Sequence, residues 1–441
     1  MNTKKIAEEL LTFISGNPTA FHTTAAIAGI LKENGYKELL ESDCWNLEKG
    51  GKYFVCRNGS SIIAFAVGSE LCGLSFNIAA SHSDSPTFKL KENAELHSSG
   101  KYTKINVEGY GGMICSSWMD RPLSLAGRVL LKGEDGSINS HLLNIDKDLF
   151  LIPNVAIHMN REINDGYKFN KQIDLLPLFS ADAEDGALKK LIADELSTKP
   201  ENILGSDLYV YPRDRACIWG KNGEFISGGR LDDQQCAFAS LKALAETECK
   251  NTVNVLACFD NEEVGSLTKQ GAESTFLYDV LKRISSALGR SEEEYLQALA
   301  SSFMLSADNA HAVHPNHPEF SDESNRVYMN EGVVLKSHAG QKYTSDGVSS
   351  AIVKELAGRA GVPLQYFANR SDKAGGSTLG NFAMVHTSIN CADIGLPQLA
   401  MHSCYETAGT KDTEYMIMLL KELYSSRIIQ PSPGNFRIEK C

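Results

Sequence analysis

Residues 251–263 read NTVNVLACFDNEE, an apolar run that passes abruptly into Asp260, Asn261, Glu262 and Glu263. A short apolar run of this kind is a buried strand, and the change to charge marks where the chain leaves the core. The pattern occurs twice more. LSFNIAAS (74–81) runs into His82 and Asp84, and SSFMLSA (301–307) into Asp308. In open α/β sheets, ligands bind beyond the carboxyl ends of the strands. Three strand ends therefore bring carboxylate and imidazole to one crevice. Asp232, after the glycine-rich turn ISGGRLDD (226–233), and His402, after PQLAM (397–401), extend the set.

Working outward, the flanking segments alternate between strand and helix patterns. Helical spacing is expected over 4–14, 25–34, 234–248, 277–288, 292–303, 349–360 and 412–425. Strands are expected at 52–57, 61–68 and 74–81, the first two joined by the hairpin signal Asn58-Gly59. Further strands are expected at VVLKS, PLQYFA and TSINCADIG. This alternation predicts an α/β mixed sheet with helices on both faces. Residues 86–208 differ: short strand-like pieces alternate with Gly, Asp and Asn turns, and the one charged helical stretch falls at 184–195. They read as an inserted β-rich domain. The expected organisation is a discontinuous catalytic domain, 1–85 plus 209–441, carrying an insertion over 86–208.

The 441 residues exceed the roughly 250–300 at which one hydrophobic core stops growing. A formal net charge of -12 argues against nucleic acid or an anionic membrane as partner. No apolar run approaches the ~20 residues of a membrane span, and the N-terminus lacks a signal-peptide apolar core. The 11 cysteines include no C-x-x-C pair, and Cys72 and Cys258 lie in apolar runs. They read as free thiols of a reducing compartment, so a cytoplasmic location is expected.

So many converging carboxylates repel one another unless cations are present. Imidazole with carboxylate suits zinc, and the carboxylate-rich set leaves room for manganese or cobalt. A ligating imidazole needs its other nitrogen held, and Asp84, two residues past His82, is placed to do so. The Glu262-Glu263 pair suggests divided labour, one carboxylate on metal and its neighbour free as a base. His311, His314 and His317 form a tempting cluster, but Pro315 and Pro318 break any helix there. They read as loop and site wall. GGSTLG (375–380) is neither a nucleophile elbow nor a phosphate loop, and reads as a turn near the site.

With these motifs in place, the chain resembles the aspartyl aminopeptidase family of metallopeptidases. The likeness runs through FISGNPTAFH, ASHSDSP, SSWMDRPLSLAGRV, IPNVAIHMNREIN, GGRLDD, FDNEEVGS, SADNAHAVHPN, RSDKAGGSTLG and PQLAMHSCYE. It implies a zinc-exopeptidase-like fold with an inserted dimerisation domain, two Zn2+ per subunit and a large homo-oligomer, a dodecamer. It further implies that Asp232 bridges both metals, that His82 and Asp308 complete one site, and that Glu263 and His402 complete the other. Glu262 becomes the general base for metal-activated water and Asp84 the support of His82. His158 matches a histidine that reaches a neighbouring subunit's active site. Lys336 matches a position linked to preference for acidic N-terminal residues of peptide substrates. Asp233, where some relatives carry Asn, and Lys373, an added charge, are departures. Two other enzymes share the chemistry: an aminopeptidase preferring neutral residues, and a two-metal N-acyl amino acid deacylase. A cargo-binding shell needs no Glu262.

Overall fold

The structure is a computed structural model and describes residues 3–71, 73–248 and 250–441. Cys72 lies outside the described residues. The described cysteines are free thiols, and Cys236, Cys258, Cys391 and Cys404 are buried.

Val253–Phe259 is buried along its whole length because both its faces are covered. Val255 and Ala257 point into one hydrophobic cluster, and Leu256 and Cys258 into another. The strand stands near the middle of a nine-stranded sheet. It pairs in parallel with Phe76–His82, which pairs in parallel with Phe303–Ala307, and that strand with Asn390–Gly395. These four parallel strands share one carboxyl edge, and His82, Asp260 and Asp308 lie at or just past it. Outside them Ser61–Val67 and Val333–Ser337 run antiparallel. Helices cover both faces. Thr3–Gly16, Leu231–Ala245, Gly347–Ala360 and Asp412–Tyr424 supply one cluster. Phe276–Ala287 and Glu292–Ala300 supply the other.

The insertion forms a six-stranded sheet, antiparallel throughout, from strands between Thr87–Ser98 and Ile203–Pro212. Its own cluster gathers Phe88, Trp118, Val129, Phe150 and Val210, with Leu188 and Ile192 from the helix Ala187–Glu195. The strand Ile203–Pro212 runs through position 208. A third, five-stranded sheet is built of very short pieces: Cys217–Trp219, Phe225–Gly228, Glu406–Gly409, Pro397–Leu399 and Ala310–His311.

One helix ends earlier than its spacing predicts. Glu292–Ala300 starts at a capping box between Ser291 and Glu294. It stops at Ala300, and Phe303 opens a strand in which every residue is buried. The parallel sheet claims Phe303, which outweighs the helical spacing. Among the described residues no helix is long and apolar enough to cross a membrane.

Candidate active site

Three joints deliver Glu262 and Glu263, Asp232, and His402, and each departs from regular structure. Phe259 leads through Asp260 to Asn261, which has a left-handed backbone (φ 63°). That turn aims Glu262 and Glu263 back over the sheet edge. The Asn261 side chain ties it down, accepting from Thr268 and Gln270 and donating to the Tyr110 hydroxyl. Asp232 follows Arg230, also left-handed (φ 63°), and is itself non-helical at the start of Leu231–Ala245. His402 has φ 67° in the turn between Pro397–Leu399 and Glu406–Gly409.

The side chains converge. His82 Nε2 lies 3.2 Å from Asp232 Oδ1 and 3.9 Å from Asp308 Oδ1. His402 Nε2 lies 3.6 Å from Asp232 Oδ2 and 3.4 Å from Glu263 Oε2. Asp232 thus turns one oxygen to each imidazole. Each ring is held through its other nitrogen by a carbonyl: His82 Nδ1 by Asp84 O at 3.1 Å, His402 Nδ1 by Gly112 O at 2.6 Å. A carbonyl only accepts, so each Nδ1 carries a proton, and in the neutral ring the Nε2 lone pair faces the carboxylates. Asp232 Oδ1 and Glu263 Oε1 are buried and accept no hydrogen bond. Lone pairs facing lone pairs repel, and a bound cation resolves the conflict, as added protons do when no cation is present. Divalent metal fits this donor set: ligand atoms of His82, Asp232 and Glu263 lie within 4.8 Å of one another, as do those of Asp232, Asp233 and Asp308.

The electrostatics carry the same message. Burial resists charging His82, yet the adjacent carboxylates of Asp232 and Asp84 outweigh it and push the imidazole pKa well up. Burial and the charge of Asp232 push Glu263 well up. Glu262 is pushed up to about 8 by burial and by Asp308, Asp84 and Asp232, against the opposing pull of His82. In the absence of metal, protons take the place of the cations.

Asp84 supports more than His82. It accepts from the backbone N–H groups of Glu262 and Glu263, both at 3.2 Å, and from the Tyr110 hydroxyl at 2.6 Å. Asp233 accepts the backbone N–H of His82 at 3.0 Å. Burial, with the charges of Asp308 and Asp232, pushes its carboxyl well up. Lys336 lines the same pocket, whose walls also include His311, Tyr343, Phe367, Thr378 and Met401. Its ammonium donates to Asn309 O at 2.7 Å and lies 3.6 Å from Asp308 Oδ2. Of the three loop histidines only His311 lines this pocket; His314 and His317 are exposed. Gly376 and Ser377 of GGSTLG line it as well. Lys373 lies outside it, over the Phe320 ring.

His158 is not brought to this site. It sits exposed in the inserted segment, beside Val155, Ile157 and Met159, which are also exposed. Sequence reasoning assigned no role to Tyr110, Gly112 or Glu406. Glu406 left one signal, as a charged residue four places past His402 in an otherwise uncharged run.

The family described as aminopeptidase I zinc metalloprotease (M18) matches residues 13–424. A probable M18 family aminopeptidase 2 of Clostridium acetobutylicum is 48% identical over 430 residues, covering 96% of this chain and 99% of its own. Aspartyl aminopeptidase 1 of Schizosaccharomyces pombe is 36% identical, covering 96% and 95%. Among solved structures, the mApe1 dodecamer of S. cerevisiae superposes with a TM-score of 0.83 at 28% identity, covering 96% of this chain and 97% of its own. With zinc-type donors at the edge of this sheet and likeness along nearly its whole length, the chain belongs to the M18 family of zinc metallo-aminopeptidases.

Proposed function

We propose that this zinc aminopeptidase removes acidic residues, Asp or Glu, from the N-termini of peptides, with two zinc ions per subunit. His82, Asp232 and Asp308 would hold one ion, and Asp232, Glu263 and His402 the other. The observation that carries this reading is the pair of imidazoles, each with Nδ1 facing a backbone carbonyl and Nε2 turned toward carboxylates. Bound zinc supplies Lewis acidity to the scissile carbonyl and to water, whose pKa it lowers to about 7 in comparable sites.

Glu262 takes the proton of the attacking water and returns it to the leaving amine nitrogen. Asp84 acts by position, fixing the His82 ring and the turn that aims Glu262. His158 of a neighbouring copy stabilises the oxyanion. The apolar, exposed surroundings of His158, with Met159 at 83% exposure, support contact with another chain, and the relative solved as a dodecamer supports a large homo-oligomer. The insertion would be the oligomerisation domain, and the location cytoplasmic.

Lys336 is the one lysine or arginine among the pocket's lining residues and would pair with the substrate's acidic side chain. Its bond to Asn309 and its approach to Asp308 favour a second reading, in which it serves Asp308 and the apolar wall of Tyr343, Phe367 and Met401 selects neutral residues. A dipeptide panel decides. Asp- and Glu-peptides should be cleaved faster than Leu-peptides, and Lys336→Ala should lower acidic cleavage more than neutral. Equal losses on both would assign Lys336 to Asp308 alone.

A further inference from the structure

We infer that Glu406 is a positioning residue that fixes the spacing between the two halves of the metal site; this rests on the two-zinc reading above. Its carboxylate is buried, 1% exposed, and each oxygen takes a backbone N–H from a different candidate ligand. Oε1 accepts from His402 at 2.8 Å, and Oε2 accepts from Asp232 at 3.1 Å. Those two residues are 170 positions apart, a separation read directly from their numbers; Asp232 opens the helix Leu231–Ala245 and His402 lies in the turn before Glu406–Gly409. No local backbone pairing joins them at this point, so Glu406 supplies the joint.

The chemistry requires a carboxylate here. Two N–H groups need two acceptors, and an amide side chain offers one acceptor and one donor. Both donors also lie beside left-handed joints, at Arg230 and at His402 itself. Non-glycine residues rarely adopt that conformation unless their surroundings hold it. His402 is the more dependent of the two imidazoles, with its side chain 33% exposed against 1% for His82. On its outer side it is held by Gly112 O, and on its inner side by Glu406. Behind Glu406 lies a cavity also lined by Asp84, Asp260 and Arg230. Arg230 is the one lysine or arginine along that lining.

The predicted consequence is selective. Loss of one acceptor should let His402 and Asp232 drift apart, weakening the ion they share with Glu263 more than the ion on His82 and Asp308. Supporting groups of this kind are typically worth about 10–100-fold in metal affinity. The experiment is a zinc titration of metal-stripped full-length protein, wild type and Glu406→Gln, with the melting temperature of each stripped protein and peptide turnover across zinc concentrations. Expected for Glu406→Gln are one zinc bound as in wild type, a second about 10–100-fold weaker, a kcat that recovers with added zinc, and an unchanged KM. Two zinc ions bound as tightly as in wild type would overturn the inference while leaving the two-zinc reading intact. A wild type that binds one zinc would overturn both. If stripped Glu406→Gln does not fold, Glu406→Asp keeps both oxygens on a stem too short to span the two donors. Selective loss of its second zinc supports the inference, and wild-type affinity at both sites overturns it.

Discussion

His82 ends a central strand and is fixed before any metal arrives. His402 sits in a left-handed turn between two short strands at the margin of the fold. Both rings present the same nitrogen to the same Asp232, from supports that differ in kind. Phe76–His82 is buried over its full length between two parallel neighbours, so sheet pairing sets the position of His82 to within a hydrogen bond. His402 has no such ladder. Its place depends on the carbonyl of Gly112, on Glu406, and on the bond from the Ile114 N–H to its own carbonyl. Two of these three partners belong to the inserted segment. One half of the site is therefore a property of the sheet, and the other of contacts between segments far apart in the chain.

The largest effect expected on the sheet-held half is at Glu262. Glu262→Gln should lower turnover by about 10²–10⁴-fold while both imidazoles keep their zinc, read by single-turnover kinetics and metal analysis. Near-normal turnover would remove Glu262 from the chemistry.

The imidazoles themselves should differ. His82→Ala opens a cavity in a packed region and should destabilise the stripped protein by about 2–4 kcal/mol. His402→Ala, part-exposed, should change it by less than about 1 kcal/mol. Denaturant unfolding measures both, and equal losses would erase the distinction between the two halves.

A smaller effect is the pH dependence of zinc stabilisation. In the stripped protein His82 and Glu263 have raised pKa values, the first through Asp232 and Asp84 against burial, the second through burial and Asp232. A raised group stabilises the fold below its unfolded pKa, and that contribution fades as pH climbs through the folded value. Zinc must displace the same protons. The gap in melting temperature between zinc-loaded and stripped protein should therefore widen from pH 6 to pH 8. A constant gap would mean that these protons are not the ones zinc replaces.

The same division governs what the sequence reveals. His82, Asp260, Glu262, Glu263 and Asp308 are legible because an apolar run gives way abruptly to charge where a buried strand leaves the core. Asp232 and His402 are legible from the turn ISGGRLDD and the run PQLAM that precede them, and their ligand roles only through resemblance, since the strands that lead to them are only three or four residues long. No periodicity emerges from so few positions. Glu406 leaves only its isolated charge as a signal, because it works by accepting two backbone N–H groups, and a pattern of side-chain types does not record where backbone donors point. The end of Glu292–Ala300 was misjudged because Phe303 satisfies helical spacing as well as a buried strand, and only the neighbouring strands decide between them. The position of His158 relative to any active site depends on a second copy of the chain.

The most direct measurement is an anomalous-scattering map at the zinc edge from crystals of the zinc-loaded protein. The account predicts two peaks per chain on either side of Asp232, one within bonding distance of His82 and Asp308 and the other of Glu263 and His402. A single peak, or a pair that leaves Asp232 unshared, would contradict it.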